Sequence, residues 1–250
     1  MTVTAVDRHI DCAGVFNLRD LGGYPTTDGR STRWRTLFRA DGLHRVVATH
    51  RGVQGLAWRT VLDLRTLAER DAGSFACDGV DAIHLPVLRN TWDVDGLGGD
   101  IEDPTRFLTD RYLDMADSGA AAIAAVFDVL ASPTRLPAVF HCAAGKDRTG
   151  VVAALVLAAL GVDDDHIAAD YHLSALAMDR LADWITTSRP ETAEDMARQP
   201  QGFLACPPEA ITLFLDELRT RHGAVEGYLR AIGVTTDTLV AVRHTLVESR

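Results

Sequence analysis

The feature that most constrains this chain is the segment His141-Cys142-Ala143-Ala144-Gly145-Lys146-Asp147-Arg148-Thr149, set between two apolar runs. Pro137-Ala-Val-Phe-His141 has the length of a short buried strand, and the Ala-rich stretch Thr149 to Leu160 that of an apolar helix. The segment therefore sits where a strand hands over to a helix, with Gly145 providing the turn.

Its residue types fit one kind of chemistry. A cysteine and an arginine in C-x5-R spacing, Cys142 and Arg148, allow the N–H groups of Ala143, Ala144 and Gly145 to wrap around a phosphate. The helix that follows adds the positive end of its dipole, roughly half a charge. The same field favours a thiolate at Cys142. Arg148 can hold two phosphoryl oxygens and follow their charge into the transition state. Thr149 is expected to donate its hydroxyl to the thiolate, and His141 to fix the entry of the loop. Attack by sulfur on phosphorus gives a phosphocysteine, so the leaving oxygen needs an acid and the later water a base; Asp147 is the candidate for both. Lys146 would bring charge to a second phosphate or an acidic flank of the substrate. The loop is not a Walker A motif, because Gly145-Lys146 is followed by Asp147 and the earlier glycine position is Phe140.

Composition supports a folded enzyme. With 250 residues, 47% hydrophobic and 24% charged, the chain suits one α/β domain with insertions. Its net charge of −10 argues against nucleic acid and anionic membranes as partners. The longest apolar run, Val151 to Leu160, is too short for a transmembrane helix, and Met1 to Asp11 lacks the apolar core of a signal peptide. A cytoplasmic location is the expectation, though leaderless export would leave no trace. Cys12, Cys77, Cys142 and Cys206 show no C-x-x-C spacing and so no zinc site. Lys146 is the single lysine among 25 basic residues, the others being arginine, which suggests that a compact ammonium is required there.

Along the chain, strands are expected at Thr60 to Leu64 and Val80 to Val87, and a surface loop at Arg89 to Asp103. Helices are expected at Pro104 to Asp117, Gly119 to Leu130, Asp163 to about Met178, Glu209 to His222, Val225 to Ala231 and Thr235 to Val247. Asp163-Asp164-Asp165 reads as a helix N-terminus; the glycine and distal glutamate of an EF-hand are absent.

Several segments resemble the bacterial tyrosine/serine protein phosphatase family: Asn17-Leu-Arg-Asp-Leu-Gly-Gly-Tyr24, Leu37-Phe-Arg-Ala-Asp41, Val61-Leu-Asp-Leu-Arg65 with Glu69, the loop His141 to Thr149, and Glu226-Gly-Tyr-Leu-Arg-Ala-Ile-Gly233. The resemblance implies an α/β fold with a central, mostly parallel sheet flanked by helices. It implies no metal or organic cofactor, and release of inorganic phosphate from phosphotyrosine. Some relatives accept phosphoserine/threonine or phosphoinositides, and Lys146 keeps those substrates open. The resemblance also places Asp63 beside the pocket, supports Asp147 as acid and base, and makes 163 to 206 the place for a helical lid. For Asp63 an ion pair with Arg65 or Arg19 is the alternative. Trp92-Asp93 resembles the acid loop of eukaryotic tyrosine phosphatases, without its proline, and makes Asp93 the competing acid. A catalytically silent phosphate-binding module and a sulfur-transfer or arsenate-reducing enzyme are the competing functions.

Overall fold

The computed structural model describes residues 8–46, 53, 55–92, 101–189, 191–192, 194 and 199–249. Asp93 and parts of the 163 to 206 stretch lie outside them. The main sheet has five strands, β1 (Arg19–Asp20), β3 (Leu37–Ala40), β4 (Thr60–Asp63), β5 (Asp81–His84) and β6 (Ala138–His141), in the order β1-β3-β6-β4-β5. Only β1 runs antiparallel to its neighbour. A separate two-stranded sheet pairs β2 (Ser31–Thr32) with β7 (Val247–Glu248).

The strands form because they can bury both faces. Leu37, Leu62, Ala138 and Phe140 point into the larger core cluster, whereas Phe38, Ala40, Val61 and Val139 point into a smaller one on the opposite side. The larger cluster carries most of the helices: α2 (Pro104–Ser118), α3 (Ala120–Leu130), α4 (Asp147–Ala159), α5 (Asp164–His172), α8 (Pro208–His222), α9 (Val225–Ala231) and α10 (Thr236–Leu246). The shorter α1 (Leu67–Asp71) follows β4, and α6 (Ser174–Ser188) and α7 (Gln201–Leu204) lie between α5 and α8. Helix α4 is apolar on all sides and buried from Arg148 to Leu157, as a helix enclosed by others must be. It begins two residues before the expected Thr149, which brings Asp147 and Arg148 into its first turn.

Where one helix is expected from Asp163, there are two. Asp163 caps α5 by accepting from His166 N at 3.0 Å, the chain turns at Leu173, and α6 continues to Ser188. Helix α5 thereby aims Asp170 at the sheet, while α6 carries Met178 and Leu181 over the carboxyl end of β6. Among the described residues, no helix is long and apolar enough to cross a membrane.

The register explains where a site can form. Ala40, His141 and Asp63 lie level across β3, β6 and β4, so the chain leaves all three strands at one edge, at Asp41, Cys142 and Leu64. The carboxyl ends of parallel strands are where α/β sheets bind ligands.

Candidate active site

Cys142 follows the last residue of the central strand, and the four residues after it form a loop whose carbonyl groups are held from outside. Ala143 O accepts from Gly42 N at 2.9 Å, Ala144 O from Asn17 Nδ2 at 3.1 Å, Gly145 O from Arg39 Nη2 at 2.8 Å and Lys146 O from Gly150 N at 2.8 Å. With the carbonyls turned outward, the peptide N–H groups are left to face inward. Among the described residues, none of the N–H groups of Ala143, Ala144, Gly145 and Lys146 donates to a protein acceptor. A half-buried ring of unspent donors at a helix N-terminus is a seat for an oxyanion. Gly145 is required twice over, by its φ of +68° and because a Cβ there would stand 2.7 Å from Ala40 O.

The groups holding the loop are themselves fixed. Asn17 N and Phe16 N donate to Asp41 Oδ1 at 2.9 and 3.0 Å, and Asn17 Oδ1 accepts from Arg19. Arg39 Nη1 donates to Asp170 Oδ2 at 2.6 Å; Arg19 Nε and Tyr24 OH both donate to Asp170 Oδ1 at 2.9 Å. Burial works against the charge of Asp170, but Arg19 and Arg39 outweigh it and hold the carboxyl below its usual range. One buried carboxylate between two guanidinium groups thus fixes the back of the loop.

Inside the loop, Cys142, Lys146, Asp147 and Arg148 line a pocket of about 280 Å³ whose opposite wall is mostly apolar, built from Met178, Leu181, Phe203 and Leu204 with Thr192 and Gln199. Arg148 is gripped by Glu69, with Nη1 donating to Oε2 at 2.5 Å and Nη2 to Oε1 at 2.9 Å. Burial opposes the Arg148 charge, yet the Cys142 sulfur and Glu69 raise its proton affinity above the ordinary guanidinium value. Glu69 is in turn positioned by a capping box at the start of α1, where it accepts from Thr66 N at 2.8 Å.

Asp147 Oδ1 accepts from Tyr112 OH at 2.8 Å and lies 3.3 Å from Lys146 Nζ. Lys146 also donates to the carbonyl of Phe203 and stands 5.3 Å from the centre of its ring, so its ammonium is shared between the loop and the wall opposite. His141 lies beneath the loop, fully buried; its Nδ1 is 3.2 Å from Cys142 O, and burial drives its pKa down to about 4. The ring is therefore neutral, with Nδ1–H donating to that carbonyl.

Two of the residues named from the sequence, Thr149 and Asp63, have side-chain contacts other than those expected of them. The Thr149 hydroxyl is buried without a hydrogen-bond partner, so it does not donate to the Cys142 sulfur; the early start of α4 fixes Thr149 on the helix. Asp63 is not among the residues lining the pocket. Its carboxylate is taken by Arg65, with Nε to Oδ1 at 2.9 Å and Nη2 to Oδ2 at 2.6 Å, which is the ion-pair alternative. Against the cost of burial, the hydrogen bonds from Arg65 hold the Asp63 carboxyl below its ordinary value. Arg65 also donates to Glu69 O at 3.1 Å, so one guanidinium links Asp63 to α1.

A family model described as the tyrosine phosphatase family matches residues 10–248, nearly the whole of the chain. The chain belongs to the tyrosine phosphatase family. It is 30% identical over 273 residues to the triple specificity protein phosphatase PtpB of Mycobacterium tuberculosis, covering 94% of this chain and 97% of that one. A tyrosine-protein phosphatase of Nostoc commune is 30% identical over 135 residues, 51% of this chain and 45% of that protein. Among solved structures, the core catalytic domain of the PP-IP phosphatase SIW14 of S. cerevisiae aligns at 13% identity over 84% of this chain and 94% of that one, with a TM-score of 0.33, which bears on nothing further.

In this tyrosine phosphatase family member, three groups at the site are not assigned a role by the sequence. Glu69 enters only as a matching position, although Thr66-x-x-Glu69 is a legible capping box. Arg39 enters only within Leu37 to Asp41, where an arginine amid apolar residues signals a buried partner. Tyr112 looks like any aromatic on the buried face of α2.

Proposed function

We propose that this protein is a cysteine-dependent phosphatase that hydrolyses phosphotyrosine. The supporting observation is the loop itself: its carbonyls are held outward by Gly42, Asn17 and Arg39, around a pocket into which both Cys142 and Arg148 open. The loop N–H groups and Arg148 bind the three non-bridging phosphoryl oxygens, and their fixed dipoles stabilise the charge that builds there in the transition state. The Cys142 sulfur attacks phosphorus as the P–O bond to the leaving group breaks. Asp147, protonated, gives its proton to the departing oxygen. It then takes a proton from the water that attacks the phosphocysteine, releasing inorganic phosphate and free Cys142.

An aromatic leaving group suits the apolar wall of Met178, Leu181, Phe203 and Leu204. Phosphoserine/threonine and phosphoinositides stand second. The triple specificity in the name of the M. tuberculosis relative supports testing them, but Lys146 must leave the Phe203 carbonyl to meet a second phosphate. We read 163 to 206 as a helical lid on the pocket and 1–250 as one catalytic domain. We keep the cytoplasm as the working location and nucleic acid as excluded by the net charge of −10.

The test is turnover of a phosphotyrosine peptide by the purified protein and by Cys142→Ser. Phosphate release by the first and none by the second is expected. Undiminished release by Cys142→Ser would refute the mechanism.

A further inference from the structure

Behind Asp147 lies a pair of buried phenols. Tyr112 of α2 and Tyr171 of α5 are 0% and 1% exposed, their rings meet edge to face at 6.1 Å, and their hydroxyl oxygens are 2.6 Å apart. The Tyr112 hydroxyl is also 2.8 Å from Asp147 Oδ1. The direction of this chain follows from counting protons. Burial, reinforced by Asp147, keeps the Tyr112 phenol neutral with its pKa well above the ordinary value. A phenol carries one proton, and an ionised carboxylate only accepts, so Tyr112 donates to Asp147 and Tyr171 donates to Tyr112.

Both contacts on the Asp147 carboxyl fall on the same oxygen, since Lys146 Nζ also approaches Oδ1, at 3.3 Å. We propose that the Tyr171–Tyr112 pair is the positioning device for Asp147, occupying Oδ1 so that the catalytic proton is carried and delivered by Oδ2 alone. This deepens the proposed phosphatase function and rests on Asp147 being its acid and base. The arrangement serves both halves of the reaction. With Asp147 protonated on Oδ2, Oδ1 still accepts from Tyr112; with Asp147 ionised, the same hydrogen bond persists. The carboxyl group is therefore locked against rotation in both states, which saves orientational freedom at the moment of transfer. Because α2 and α5 both pack against α4, the lock also ties the acid to two elements outside its own helix.

Tyr112→Phe and Tyr171→Phe keep the rings and their edge-to-face packing while removing one hydroxyl each. The assay is kcat/KM, which reports the steps through formation of the phosphocysteine, across aryl phosphates from phenyl phosphate, a poor leaving group, to 4-nitrophenyl phosphate, a good one. Tyr112→Phe should lower kcat/KM about tenfold for phenyl phosphate and less than about twofold for 4-nitrophenyl phosphate, and Tyr171→Phe should act in the same direction by about threefold. In an Asp147→Asn background, Tyr112→Phe should add nothing, because the group it positions is gone. An equal loss with every leaving group, or a full additional loss in the Asp147→Asn background, would show a structural role only and overturn the proposal. If Asp147→Asn itself lacks leaving-group dependence, the acid assignment fails first and the positioning role falls with it.

Discussion

Arg148 and Glu69 are joined by two parallel hydrogen bonds, Nη1 to Oε2 at 2.5 Å and Nη2 to Oε1 at 2.9 Å, across 79 positions of sequence. This grip fixes the plane of the guanidinium and leaves its remaining N–H groups for phosphoryl oxygens. Glu69→Ala frees the fork and leaves a buried cation less compensated, so kcat/KM for an aryl phosphate should fall about 10- to 100-fold. Glu69→Gln, which keeps one acceptor, should fall less. Steady-state kinetics on the two variants check the order.

The outward-facing carbonyls make a second expectation. Asn17→Ala removes the donor to Ala144 O and lets that peptide turn, so inhibition by a phosphate analogue such as vanadate should weaken about fivefold or more, with the fold retained. Inhibition constants measured beside thermal melts separate the two effects.

Arg39 is different, because its loss leaves Asp170 with one guanidinium in place of two. With Arg39→Met the carboxylate keeps Arg19 and Tyr24 but loses its 2.6 Å partner, and unfolding free energy should drop by about 3–5 kcal/mol. Adding Asp170→Asn should cost less than the sum of the single changes, a coupling that urea unfolding of all variants measures.

The pH dependence of stability carries a sign that His141 fixes. Native His141 titrates at about 4, against an unfolded value near 6.5. Above that unfolded value neither state binds the proton and the residue adds no slope. As pH falls from there to about 4, only the unfolded chain is protonated, so stability declines, by roughly 3 kcal/mol in total. His141→Gln should flatten the fall between about pH 6.5 and pH 4 in urea unfolding. His44, also lowered to about 4 chiefly by burial, contributes a slope of the same sign over the same window, screened by its partial exposure.

Gly145→Ala asks a β-carbon to occupy space 2.7 Å from Ala40 O at a φ of +68°. The loop must distort, so phosphatase activity should be lost while the melting temperature falls by only the equivalent of about 1–3 kcal/mol. A variant that retains activity would show that the loop tolerates another turn.

How much of this was legible follows from range. The strand before Cys142, the helix behind it and helix Val225–Ala231 are written in local composition, and the structure contains all three, the second starting two residues early. Strand β3 was not, because Arg39 interrupts its apolar run and finds its counter-charge 131 positions away. β1, β2 and β7 are two residues long, too short for any periodicity to show. At the site, the pocket-lining Cys142, Asp147 and Arg148 are consecutive enough to be read together. Glu69 and Tyr112 reach them only through tertiary contacts, which spacing cannot reveal. Asp63 and Thr149 show the reverse: residues near the loop in sequence or register whose side chains are committed elsewhere or enclosed by packing.

The burial of Lys146, the only lysine, makes the chain a self-reporting substrate for a lysine-specific endoprotease. Its one cleavable bond, Lys146–Asp147, lies between the loop and the first turn of α4. Digestion should leave the native chain whole and divide the denatured chain into 1–146 and 147–250. The appearance of those two fragments therefore times the opening of the catalytic loop, with no label attached.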